Sequence, residues 1–245
     1  MRQIQVHMLP ALTTAEDLAG QTVVVIDVLR ATTTIVHALA AGATEVIPCL
    51  EVAGARNVAA SLGGDRVVLA GERGGLPIEG FALGNSPAEF RRETVGGKTI
   101  VFTTSNGTRA MQLCHDARDV LLGAFVNLSA VVAALRDADV VHLLCAGTGN
   151  QITREDVLLA GAMVDHLLAE WPAELSDQAE LALDAWRTVA HDLGHVPLAE
   201  RLRASCGGRN MLKTGQESDI ELAAQIDRFD IVPRLDVGQW NIRPR

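Results

Sequence analysis

Short apolar runs alternate along this chain with stretches in which apolar residues recur every three or four positions, and polar, glycine-bearing junctions separate the two. The run over 22–27, Thr-Val-Val-Val-Ile-Asp, is β-branched through its centre and predicts a buried strand. A helix follows over 32–41, opened by hydroxyl residues and stopped by Gly42. The same reading places strands at 45–49, 66–70, 98–104, 120–125 and 140–146. Helices are expected at 51–62, ending at Gly63-Gly64, and at 108–114. Leu128, Val131, Val132 and Leu135 mark one helical face, with Asn127 as its N-cap. Val157, Gly161, Val164 and Leu168 mark the next.

Strand–helix alternation predicts an α/β fold of three layers, α/β/α, around a mostly parallel or mixed sheet. The rhythm fades after about residue 170, so an open sheet is favoured over a closed eight-fold barrel. The last third reads as helix-rich, with helices at 177–190, 198–204 and 217–228 and a final strand at 231–237. The chain is read as one domain over 1–245, and 171–177 is the best candidate for a flexible boundary within it. The Gly/Pro-rich stretch 71–87 is long for a loop, and such loops are often functional.

Composition narrows the partners. At 245 residues, 48% apolar and 21% charged, the chain is globular in character. A net charge of −9 argues against a general nucleic-acid or anionic-membrane binder. Aromatic residues at 3%, with no Tyr, leave little to stack on bases. A small phosphorylated ligand held by one or two local cations is still compatible with this balance. Cys49, Cys114, Cys145 and Cys206 form no CxxC pair, and each lies in or near an apolar stretch. The first residues lack a basic segment followed by an apolar run, and no stretch has the length of a membrane span, so a soluble cytoplasmic protein is expected. A homodimer is the commonest closed assembly, and the Ala/Val/Leu-rich helices leave room for one such interface.

Ligands of open parallel sheets bind outside the carboxyl ends of the strands. Three strand ends here are rich in polar groups. In the first, Asp27 ends an apolar strand, Arg30 offers a planar fork, and Thr32 and Thr33 open a helix whose amides favour an anion. An anion-plus-metal site and a plain Asp27–Arg30 ion pair with a Thr32 cap explain this motif about equally well. In the second, Ser105, Asn106, Gly107 and Thr108 offer hydroxyls and amides at a helix start, and Arg109 adds charge; an ordinary N-cap is the simpler reading of this stretch alone. In the third, Gly147 begins a glycine-bearing turn that leads to Thr153 and Asp156, which suit a capping pair. Glu72 and Arg73 follow the strand at 66–70. Asp27, Glu72 and Asp156 would together suit a hard cation such as Mg²⁺, since their donors are oxygens. Walker A, GxGxxG and GxSxG motifs are absent. A Cys phosphatase loop after Cys145 would need Arg where Gln151 stands, and an Asp-x-Asp nucleophile would need an acid at Leu29.

Four blocks in order, Val25-Ile-Asp-Val-Leu-Arg-Ala-Thr-Thr-Thr34, Gly71-Glu-Arg-Gly-Gly75 with Gly84-Asn-Ser-Pro87, Thr103-Thr-Ser-Asn-Gly-Thr108, and Cys145-Ala-Gly147 with Glu155-Asp156, resemble the 2-phosphosulfolactate phosphatase family. Pro233 and the Asp-Ile-Val before it resemble its C-terminal block, so the similarity spans nearly the whole chain. The resemblance implies an α/β/α-layered, Mg²⁺-dependent phosphohydrolase that converts (R)-2-phospho-3-sulfolactate to 3-sulfolactate and phosphate, a step of coenzyme M biosynthesis in methanogens. The chain departs from the family pattern at Ser105, where Thr is usual, and at Ala82, where an acid is usual. On this reading Asp27 holds Mg²⁺ with Glu72 or Asp156, and Arg30 with the amides near Thr32 and Thr33 clamps the phosphoryl group. Ser105, Asn106, Gly107, Thr108 and Gly147 hold further oxygens, and Arg73 or Arg109 a sulfonate. A metal-bound water and a phospho-aspartyl intermediate on Asp27 both remain open, as do another small phosphorylated hydroxy acid as substrate and a non-catalytic anion sensor.

Overall fold

The computed structural model describes residues 1–244. Its strands are β1 (Arg2–His7), β2 (Thr22–Ile26), β3 (Glu45–Pro48), β4 (Val67–Arg73), β5 (Leu76–Pro77), β6 (Thr99–Thr103), β7 (Asp119–Gly123), β8 (Val140–Cys145), β9 (Ala173–Leu175), β10 (Pro233–Asp236) and β11 (Asn241–Pro244). Its α-helices are α1 (Ala15–Leu18), α2 (Ala31–Ala40), α3 (Val52–Leu62), α4 (Arg92–Val95), α5 (Gly107–Gln112), α6 (Leu128–Ala134), α7 (Arg154–Glu170), α8 (Asp177–Ala190), α9 (Leu198–Arg203), α10 (Cys206–Lys213) and α11 (Ser218–Ala223).

The strands form one mixed sheet in the order β5-β4-β6-β3-β11-β10-β7-β2-β8-β1-β9. β4, β6 and β3 run parallel to one another, as do β7, β2, β8, β1 and β9. The hairpin β10–β11 lies between these blocks and pairs antiparallel with both. The two parallel blocks therefore run in opposite directions. In a flat sheet their carboxyl ends would lie at opposite edges. Strands twist by about 20–25° per neighbour, so the six steps from β4 to β2 accumulate about 120–150° and turn the two sets of carboxyl ends toward each other.

The period of two along β2 divides the core. Val24 and Ile26 face one side, with Leu121 and Leu143 of the neighbouring strands, and pack against α6, α7 and α8. Val23 and Val25 face the other, with Leu122 and Leu144, under α2 and α5. Val46, Ile100 and Phe102 of the opposite block join that second cluster, as a curled sheet requires. The result is the layered α/β architecture expected from the chain.

The stretch 171–177 carries β9, which pairs with β1, and leads into α8, packed along α7. Further elements go beyond the sequence reading: β1 and β11 add strands to the sheet where none was expected, and α1, α4 and α10 add helices. The stretch 71–87 is shorter as a loop than expected, because β4 runs on to Arg73 and turns back as β5. Among the described residues no helix is long and apolar enough to cross a membrane.

Candidate active site

β2 ends in a turn that carries Asp27 away from the core, and the Leu29–Arg30 peptide in that turn is cis. Asp27 Oδ1 accepts from the Ala31 N–H, the first residue of α2, at 3.1 Å. No donor among the described residues reaches Oδ2. A cleft of about 520 Å³ opens at this carboxylate, and its lining includes Asp27, Arg30, Glu72, Asn85, Ser105, Asn106 and Arg109. Gly107 stands directly behind Oδ2: a Cβ there would lie 2.8 Å from Oδ2 and 2.6 Å from the Ala31 Cβ. The missing side chain at Gly107 is what lets α5 start against the carboxylate.

Glu72 joins the end of β4 to the end of β6. Its Oε1 accepts from the Ser105 N–H at 2.7 Å, and Oε2 accepts from the Gly75 N–H at 2.7 Å and the Ser105 hydroxyl at 3.2 Å. The carboxylate thus fixes both the β4–β5 hairpin and the turn before α5. Asn106 Oδ1 accepts from the Gly149 N–H, which brings in the turn after β8. The amides of Asn106 and Gly107 donate to no described group, whereas Ser105 spends its own on Glu72. Arg30 is buried in the wall, with Nη1 donating to Asp219 Oδ2 at 2.7 Å.

Several expected contacts are corrected. The Thr32 hydroxyl donates to Asp27 O and the Thr33 hydroxyl to Val28 O; both residues are fully buried and cap the turn instead of facing the cleft. Thr108 likewise spends its hydroxyl on Thr104 O. Arg73 braces Leu50 O and Thr103 Oγ1 from outside the lining, which leaves Arg109 as the cleft arginine of that pair. Gly147 gives its N–H to Asp156 Oδ2, and Thr148 and Gly149 line the cleft in its place. Asp156 is occupied on both oxygens: Oδ1 accepts from the Val28 N–H, and Oδ2 from Gly147 and the Thr153 hydroxyl. It ties the turns after β2 and β8 together at the start of α7. Among the described residues no three His, Cys, Asp or Glu side chains form a metal-binding group, so the trio of Asp27, Glu72 and Asp156 does not close around a cation. Ala82 is exposed and outside the lining, so its departure from the family pattern does not touch the cleft.

The sequence reading missed the C-terminal wall. Gly207, Asn210, Met211, Lys213 and Thr214 of the α10 region line the cleft. The signal was Ser205, whose hydroxyl accepts from the Gly208 N–H as an N-cap. The Gly207-Gly208 pair concealed the helix behind it. Glu155 Oε1 accepts from the Gly207 N–H, and its buried Oε2 has no partner among the described residues. A separate groove of about 530 Å³ between α6, α7 and α8 contains none of the expected site residues.

The chain matches the family described as 2-phosphosulpholactate phosphatase over residues 7–238. The chain belongs to the 2-phosphosulpholactate phosphatase family. A relative from Caldanaerobacter subterraneus subsp. tengcongensis, named probable 2-phosphosulfolactate phosphatase, is 39% identical across 91% of this chain and 90% of its own. Relatives of the same name from Thermotoga maritima and Deinococcus radiodurans are each 39% identical, covering 91% and 87% of this chain and 92% and 87% of their own. This 2-phosphosulpholactate phosphatase family member is therefore a phosphoric monoester hydrolase.

Burial raises the Asp27 carboxyl from 3.8 to about 7, helped by the negative charges of Glu72 and Glu155 and opposed by the Ala31 N–H and Arg30. Burial also raises Glu155 and Asp156, and the charge of Glu155 pushes Asp156 further. A carboxyl raised in the folded state favours folding in its protonated form. Its contribution is whole below pH about 4 and is lost as pH rises through about 7. In chelator, the melting temperature should therefore fall across that window. Asp27→Asn, neutral throughout, should flatten the fall; thermal scans at several pH values check this, and an unchanged slope would contradict it.

Proposed function

We propose that this chain hydrolyses 2-phosphosulfolactate to 3-sulfolactate and inorganic phosphate, using the cleft at Asp27. The names carried by its relatives support the substrate. The observation that carries the reading of the site is the meeting of Asp27 Oδ2, free of protein donors, with the fork of Arg30 in one cleft. Hydrolysis breaks the bond between phosphorus and the C2 oxygen. Water supplies the oxygen that phosphate gains and the proton that the C2 oxygen regains. The protein's task is to position the ester and neutralise its charge.

The donor set suits a hard cation. Among the described residues Asp27 Oδ2 has no donor and Asn85 Oδ1 is buried without a partner, and both side chains line the same cleft. Asp27 and Asn85 would hold Mg²⁺, whose contribution is neutralisation of phosphoryl charge, while Glu72, spent on both oxygens, would position the turns around it. Cation binding competes with the proton on Asp27, which lowers its affinity in acid. Arg30 binds phosphoryl oxygens through its unspent N–H groups, and the Asn106 and Gly107 amides add neutral donors. Arg109 and Lys213 line the cleft and have no ion-pair partner among the described residues, so they are free to meet the other anionic groups of the substrate.

Phosphate release is measured from a panel of phosphorylated hydroxy acids, with Mg²⁺ and with EDTA. Turnover should be fastest with 2-phosphosulfolactate, cease in EDTA and return with Mg²⁺. A chain that binds the panel but releases no phosphate is a sensor, and the proposal fails.

A further inference from the structure

Arg30 engages two of its five N–H donors within the protein. Nη1 donates to Asp219 Oδ2 at 2.7 Å, and Nη2 to Gly75 O at 3.3 Å. The Arg30 side chain is 2% exposed and that of Asp219 is 1% exposed. The other Asp219 oxygen accepts from the Ser86 hydroxyl at 2.6 Å. Asp219 comes from α11, 189 residues away in the chain, and its neighbours Ile220 and Ala223 are packed into the core. Its carboxylate is thus held by the fold from one side and by Ser86 from the other.

An arginine can meet a carboxylate with two parallel N–H groups, which would consume one edge of its fork. Here the contact is single. The guanidinium is anchored by one N–H to Asp219 and one to Gly75, while Arg30 lines the cleft. A long side chain with several rotamers is thereby fixed in one direction. We propose that Asp219 is the positioning residue for Arg30: the chain Ser86–Asp219–Arg30 anchors the guanidinium so that its remaining donors meet the phosphoryl group. This rests on the reading of Arg30 as the phosphate clamp. It gives the C-terminal helices a part in the chemistry, although none of their residues was expected at the site.

A double-mutant cycle on kcat/KM for 2-phosphosulfolactate, with Mg²⁺, tests it. Asp219→Ala should lower kcat/KM by about 100-fold, the scale of a displaced catalytic group. In an Arg30→Ala background the same change should cost less than about threefold, because nothing remains to position. Asp219→Asn preserves an acceptor for Nη1, with Ser86 turning to accept the amide, and should restore kcat/KM to within about tenfold of wild type. A merely structural Asp219 would give losses that add in both backgrounds, and that result overturns the inference. If Asp219→Ala does not fold, Ser86→Ala replaces it in the cycle, with a loss expected only when Arg30 is present. Arg30→Ala with wild-type turnover would remove the clamp reading and this inference together. A large Arg30→Ala loss with additive behaviour would remove the inference alone.

Discussion

Asp27→Asn should lower Mg²⁺-dependent phosphate release by about 1,000-fold or more, the scale on which a single electrostatic group at a reacting centre acts. The substitution keeps the shape of the side chain. Its carbonyl oxygen can still accept from the Ala31 N–H, the bond that seats Asp27 against α2. What it removes is the charge on Oδ2, the atom that no donor among the described residues reaches. A neutral amide holds a divalent cation poorly and cannot attack phosphorus. The fold should survive, because the carboxylate is buried at a cost that raises its pKa to about 7. Phosphate-release kinetics and a thermal scan on the same preparation check both halves. Turnover within tenfold of wild type would remove Asp27 from the chemistry.

Arg30→Lys should lower kcat/KM by about 100-fold while keeping the charge. The guanidinium reaches Asp219 and Gly75 and still has donors for the cleft. An ammonium is a point charge with three donors and no fork. If it pairs with Asp219, it withdraws from the phosphoryl group; if it reaches the cleft, Asp219 is left buried and unpaired. Steady-state kinetics with 2-phosphosulfolactate separates this from a structural role, which would lower the melting temperature but leave kcat/KM per folded molecule unchanged.

The chain revealed residue types more readily than their partners. β2 was legible because five buried residues in a row leave little choice of structure, and α8 because its period and its Ser176 cap agree. β1 was not, since Arg2, Gln3, Gln5 and His7 dilute its two buried residues, and only pairing with β8 and β9 makes it a strand. The hairpin β10–β11 lies mid-sheet although it comes last in the chain, and no local pattern announces such an insertion. At the site, the junctions after β2, β6 and β8 were legible from their polar content. Which polar groups were free was not. Thr32, Thr33 and Thr108 look like anion ligands in the sequence, yet each hydroxyl is used on a carbonyl five or four residues away. Asp156 reads in the sequence as a capping partner of Thr153 or as a metal ligand; it does meet the Thr153 hydroxyl, and three donors in all surround it. Asp219 has no motif around it, because its role depends on a partner in a distant segment.

In the proposed function one cleft holds a divalent cation at Asp27 beside a phosphoryl group at Arg30. Crystals grown with Mn²⁺ and vanadate, a tetrahedral phosphate mimic, test it through anomalous diffraction. A manganese peak is expected in direct coordination with Asp27 Oδ2, with vanadate within hydrogen-bond distance of the Arg30 guanidinium. Manganese seated at Asp156 or in the groove between α6, α7 and α8, with the Asp27 cleft holding neither ion, would contradict it.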